Sequence, residues 1–252
     1  MLVRSHSDSS MKFEYWDGPQ RSPEWYKLRL EKITASRLKH WMAKSKQAGK
    51  NFGTPLKARF DYERELLFEK EFGVAFDFYV SEAMNDGINF EKFALKQYQL
   101  HTGNKVREVG AWWNEWFLAS PDAGVSEKPH KVENGIAEVK VVRENKMMEI
   151  LQEGEPTEEW WIQIQGQLFA SGKKWCDFIV LNLLTKRIIV VRVFPDKEFF
   201  KEIEKAVQEP KFTKELYDKK KVKMFEITED PEIIEEGMSA IKAGIDVNNL
   251  GF

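Results

Sequence analysis

Ser120-Pro121-Asp122, followed sixteen positions on from its acid by Glu138-Val139-Lys140, sets two carboxylates and a lysine at the spacing of a metal-dependent phosphodiester-hydrolysing centre. Trp116 to Ser120 is a short apolar run ended by Pro121, and Gly135 to Val142 is a second run that alternates. Side chains in a strand alternate between faces, so Ile136, Glu138, Lys140 and Val142 share one face and Ala137, Val139 and Val141 the other. If the first run ends beside the second, Asp122 meets Glu138, and paired carboxylates are the hard oxygen ligands that Mg²⁺ or Mn²⁺ prefers. A lysine beside them could orient the attacking water and offset phosphate charge. The plainer alternative is a Pro-Asp-Ala-Gly turn followed by a solvated Glu/Lys pair.

Two helical stretches must then position further groups. Glu91 has Ala94, Leu95 and Tyr98 at helical spacing, which places a carboxylate on a largely apolar, half-buried face where a metal would partner it; otherwise it sits solvated at the helix margin. Glu158 to Ala170 carries Trp160, Trp161, Ile162, Ile164, Leu168 and Phe169, yet also Gln163, Gln165 and Gln167. Gln163 and Gln167 are one turn apart, so at least one amide should face a polar site rather than solvent.

With these blocks read, the chain resembles the lambda-type phage exonucleases, the YqaJ-like viral recombinases, within the PD-(D/E)XK nuclease superfamily. The resemblance spans roughly residues 21 to 195. It starts at Trp25, Arg29 and the Ile33-Thr34-Ala35-Ser36 element, runs through Gly87 and Glu91, Ser120-Pro121-Asp122 and Glu138-Val139-Lys140, and closes at Gln163-Ile164-Gln165. It implies an α/β fold, a mixed central β-sheet flanked by helices on a restriction-endonuclease-like core. It also implies an enzyme that digests one strand of linear duplex DNA from the 5′ end, leaving 3′ single-stranded ends for recombination by strand annealing. In that scheme Asp122, Glu138, Glu91 and the Val139 carbonyl bind two Mg²⁺ or Mn²⁺ ions, while Lys140, assisted by Gln163, positions the water. Arg29, Ser36 and Ser120 hold the 5′-phosphate. The family further implies a homotrimer around the DNA and a separate single-strand annealing protein as partner. An endonuclease on the same core and an inactive DNA-binding scaffold are the alternatives. The long Asp122–Glu138 spacing reads as a lengthened hairpin, with Asn134-Gly135 as a tight reversal.

Composition fits one soluble enzyme. At 252 residues, 42% of them hydrophobic with 9 Trp and 18 Phe, the chain has material for a sizeable core. The lone Cys176 excludes a disulfide framework, an all-cysteine metal site and an iron–sulfur cluster. No run of 18 apolar residues exists and the first 20 lack a signal-peptide segment, so no membrane is expected and a cytoplasmic location is, in the host if the chain is phage-encoded. The net charge of -2 argues against nucleic acid. Its distribution offsets this, since no acid lies between Lys32 and Asp61, where Lys39, Lys44, Lys46, Lys50 and Lys57 could neutralise phosphates. Lys46 is the substrate-binding candidate of that stretch, and Met84 a candidate wedge between bases. Helices are expected over Ile33–Ala43, from a Thr54-Pro55 cap to Gly73, and over Asp196–Val207, with β-runs at Asp177–Leu184 and Arg187–Val193. The expected organisation is a polar leader over 1–20, a nuclease domain over 21–208, and a charged extension over 209–252 that packs on the domain or docks the partner.

Overall fold

The computed structural model describes residues 11–45, 53–75, 82–127 and 133–208, with the side chains of 82–89 excluded. In chain order the elements are β1 (Glu14–Trp16), α1 (Pro23–Arg29), β2 (Ile33–Thr34), a 3-10 turn (Ala35–Arg37), α2 (Leu38–Trp41), α3 (Lys57–Phe72) and α4 (Glu82–Thr102). There follow β3 (Lys105–Arg107), β4 (Ala111–Trp113), β5 (Phe117–Ala119), β6 (Ala123–Ser126), β7 (Gly135–Val141), α5 (Glu144–Glu153), α6 (Glu158–Ser171), β8 (Trp175–Asn182), β9 (Arg187–Val193) and α7 (Lys197–Gln208). By internal contacts the chain divides between Lys211 and Phe212, and every described element falls in the first unit. The expectations for 209–252 lie outside the described residues.

The expected mixed sheet is present, of order β3-β6-β7-β8-β9, and a second, smaller sheet of order β1-β4-β5-β2 accompanies it. In the larger, β7 and β8 run parallel and the other pairings are antiparallel. β8 is buried along its whole length, as a central strand covered on both faces should be. The alternation read in β7 holds. Ile136 packs with Cys176, Phe178 and Val180 on the face covered by α6, whereas Ala137, Val139 and Val141 pack with Ala94, Leu95 and Tyr98 of α4. Tyr98 fixes α4 to the sheet through its hydroxyl, which donates to Asp177 Oδ2 at 2.5 Å; Arg192 grips the same carboxylate through Nε and Nη2. Glu91 is thereby held two turns up a helix anchored at Tyr98.

The smaller sheet redraws three expectations. Ile33-Thr34 is a strand, parallel to Phe117-Leu118, because two β-branched residues find an open edge there, and only Leu38–Trp41 is α-helical. The helix expected to begin at Thr54-Pro55 begins at Lys57, since Pro55 bridges to Lys44; it ends as expected at Gly73, left-handed at φ 66°. Residues 11–20, expected to belong to a polar leader, pack on the domain instead. Residues 1–10 lie outside the described set, but Met11 and Phe13 are buried, Phe13 edge-on to Phe169 at 5.4 Å and to Phe117 at 6.3 Å. Among the described residues no helix is long and apolar enough to cross a membrane.

Candidate active site

Pro121 has no N–H to offer a ladder, and at Ser120-Pro121-Asp122 the chain leaves β5 in the small sheet and enters β6 in the large one. The β6–β7 register, Ala123 opposite Ala137, continues one step through the Asp122 N–H to the Ala137 carbonyl at 3.0 Å. Asp122 therefore lies beside Glu138, and its Oδ2 accepts from the Val139 N–H at 2.6 Å. The expected meeting of Asp122 and Glu138 is present, reached through a short strand, β6, within what the sequence reads as a lengthened hairpin.

Glu138 is buried and fully partnered. Its Oε1 accepts from Lys140 Nζ at 2.7 Å and Gln163 Nε2 at 2.6 Å, and its Oε2 from Gln167 Nε2 at 2.7 Å. The two glutamines do share a helix face, and both amides turn onto the carboxylate; the Gln167 Oε1 is buried without a partner. Gln165 points elsewhere, to the Phe194 carbonyl and the Asp196 N–H. Burial pushes the Lys140 ammonium down, but Glu138 and Asp122 outweigh it and leave its pKa raised, so Lys140 acts as a cation and donor rather than a base. Burial, then repulsion from Glu138 and Glu91, holds the Asp122 carboxyl well above the usual carboxylate range.

Glu91 reaches the same region from α4, and Asp122 and Glu91 both line an open cleft of about 420 Å³ with Gln20, Arg21 and Gly110. The Glu91 Oε2 is bound by Arg21 at 2.6 Å, a partner the sequence did not reveal. Among the described residues no three His, Cys, Asp or Glu side chains stand as a ready metal cage, because Glu91 is turned onto Arg21 and both Glu138 oxygens are engaged. The donor set nevertheless suits a hard divalent cation: Glu138 and Glu91 both lie near enough to Asp122 to repel its carboxylate, which gathers three carboxylates in one region. Val139, whose carbonyl is the expected backbone ligand, lies between Glu138 and Lys140 with its N–H on Asp122.

The expected phosphate-binding trio is partly gathered. Arg29, at the end of α1, lies 4.2 Å over the Trp25 ring, and the Trp25 indole N–H donates to Ser120 Oγ at 3.0 Å, so Trp25 ties the two together. Burial pushes the Arg29 pKa down, though a guanidinium keeps its charge. Ser36 is exposed on the 3-10 turn with its hydroxyl 3.2 Å from Thr34 Oγ1. The parallel β2–β5 register brings the ends of both strands, and hence Ser36 and Ser120, to the same side. Lys46 lies outside the described residues, as does the side chain of Met84. Trp25 four residues before Arg29 was a visible signal for a stacked pair. Arg21 gave none, because its orientation depends on a left-handed backbone.

Two mixed sheets, helices on their faces and a cleft at the junction define an α/β protein of the phage-exonuclease type of fold. The phage-related exonuclease from Haemophilus somnus 129PT has it, with a TM-score of 0.53 and 16% identity over 71% of this chain and 92% of that one. The alkaline exonuclease LHK-Exo from Laribacter hongkongensis is 29% identical, with a TM-score of 0.63 over 74% of this chain and 89% of its own; its complex with dAMP gives 0.62 at the same identity and coverage. The YqaJ-like viral recombinase domain matches residues 24–174, and the chain belongs to that family. No curated protein matches the sequence.

Proposed function

We propose that this chain is a divalent-metal-dependent exonuclease that digests one strand of linear duplex DNA from its 5′ end, leaving 3′ single strands for recombination by annealing. The observation that carries the reading is the convergence of Asp122, Glu138 and Lys140 at one end of the β6–β7 pair, with Gln163 and Gln167 clamping Glu138. Family membership and the alkaline exonuclease neighbour support a nuclease acting on DNA. Asp122, Glu138, Glu91 and the Val139 carbonyl would hold Mg²⁺ or Mn²⁺, two ions per site. Bound ions supply Lewis-acid polarisation of a phosphate and a lowered water pKa. The residues of the chain do the rest. Gln163 and Gln167 fix the Glu138 carboxylate in one orientation, and Lys140 places a fixed positive charge where negative charge develops on the phosphate.

Polarity rests on charge. A terminal phosphate is more negative than a diester, and a guanidinium with two hydroxyls holds it by charge-assisted hydrogen bonds. Arg29, Ser36 and Ser120 fill that role in this reading, with Lys46 tracking the strand. Enclosure of the duplex by three copies would let a chain of net charge -2 stay on its track, and a strand-annealing partner would coat the product. Incubation with Mg²⁺ and matched linear and circular duplexes tests the reading: the linear form alone should be degraded, faster with a 5′-phosphate than a 5′-hydroxyl. Equal attack on circles would show an endonuclease instead.

A further inference from the structure

Arg21 takes a left-handed backbone conformation, φ 66°, which disfavours any residue with a β-carbon and suits glycine. Both neighbours hold it there. Gln20 Nε2 donates to the Val109 carbonyl at 2.9 Å and to the Pro121 carbonyl at 2.8 Å, and Ser22 caps α1 by accepting from the Trp25 N–H. The Arg21 side chain thus leaves the backbone one residue from a clamp on Pro121, which itself precedes Asp122. It lines the cleft with Glu91 and Asp122 and rests on Glu91 Oε2 at 2.6 Å. With the Arg21 side chain 41% exposed, that ion pair stabilises the fold little and does not account for a strained arginine in place of glycine. Of the described non-glycine residues with this conformation, Arg21, Glu31 and Lys186, only Arg21 lines the cleft, and strain retained there motivates a functional hypothesis.

Glu91 is also the third carboxylate of the candidate metal centre. Arg21 supplies the positive charge that neutralises it, and a cation taking the Glu91 Oε2 would compete with the guanidinium for that oxygen. A guanidinium displaced at the mouth of the cleft, its backbone still pinned by Gln20, offers a planar fork of donors that matches two phosphate oxygens. We propose that Arg21 exchanges partners, leaving Glu91 when the metal loads and binding a backbone phosphate of the DNA strand in the cleft. The exchange rests on the metal-nuclease reading above.

Full-length wild type, Arg21→Gly and Arg21→Lys test it by two measurements. The first is Mn²⁺ binding by calorimetry without DNA. The second is duplex binding across a salt series with Ca²⁺ in place of Mg²⁺, uncut DNA being verified on gels. Glycine suits φ 66°, so Arg21→Gly should melt no lower than wild type. It should bind Mn²⁺ several-fold more tightly and duplex several-fold more weakly, with the salt slope reduced by about one. Arg21→Lys keeps the charge and should restore wild-type Mn²⁺ affinity and most of the salt slope. Unchanged or weaker Mn²⁺ binding by Arg21→Gly, unchanged duplex binding, or a lysine variant no different from glycine would each overturn the exchange. Wild type that binds no Mn²⁺ would overturn the metal reading itself, and the exchange with it.

Discussion

Asp122 sits where the proposed function and stability oppose each other. Its carboxyl is held well above the usual range by burial and by two neighbouring acids. A group raised in the folded state contributes stability that is fully present below its unfolded pKa and is lost as pH rises through the folded value. The metal-free protein should therefore lose stability from weakly acidic pH upwards, and Mn²⁺ should raise its melting temperature more at pH 8 than at pH 5. Asp122→Asn can keep the bond from the Val139 N–H while losing the repulsion. It should melt at or above wild type at pH 8, by on the order of 1 kcal/mol, and cleave no DNA. A clear loss of stability, or retained cleavage, would remove Asp122 from the centre. Lys140→Met should lower turnover by about 10²–10³-fold with duplex binding retained, measured by single-turnover cleavage beside a binding titration. The Gln163–Gln167 spacing announced amides at a polar site; that both would take Glu138, and Gln165 a loop carbonyl instead, depends on how α6 is rotated over β7.

β7 is the element on which the site depends. Gly135 opens the strand, as the run from Gly135 predicts, and pairs with Val125. A Cβ there would come within 2.4 Å of the Trp175 ring, so the glycine leaves room for that ring to lie against β7. Gly135→Ala should destabilise the protein by about 1–3 kcal/mol in denaturant melts. It should also slow cleavage, because β7 carries Glu138 and Lys140; a neutral effect on both would show that the strand pair is not held by this contact. β6 escaped the sequence reading because Ala123-Gly124-Val125-Ser126 has no alternation of its own and becomes a strand only against β7 and β3. α6, long and densely apolar, was readable almost to its ends, since its pattern needs no partner to be recognised.

At the scale of the molecule, a net charge of -2 makes tight duplex binding by a single copy unfavourable, and the proposed enclosing assembly would resolve this. Sedimentation of the purified protein should give three times the 29.6 kDa chain mass, and cleavage should continue over many nucleotides before release. A monomer that dissociates after each cut would count against a ring. Duplex binding should weaken steeply between about 50 and 200 mM salt if phosphate contacts dominate it.

The sequence alone determined the candidate residues and their elements: the Asp122 and Glu138 blocks, the strand carrying Lys140, the helix carrying Gln163 and Gln167, and the family that these blocks mark. Such features rest on local periodicity and on residue types whose chemistry is intrinsic. Tertiary structure decided the rest. It added a second, smaller sheet, which the chain leaves at Pro121, turned Ile33-Thr34 into a strand beside Phe117-Leu118, drew Met11 and Phe13 into the core, and set Arg21 against Glu91. Each of these depends on a partner distant along the chain or on a backbone angle fixed by such a partner, and neither is written in a residue's near neighbours.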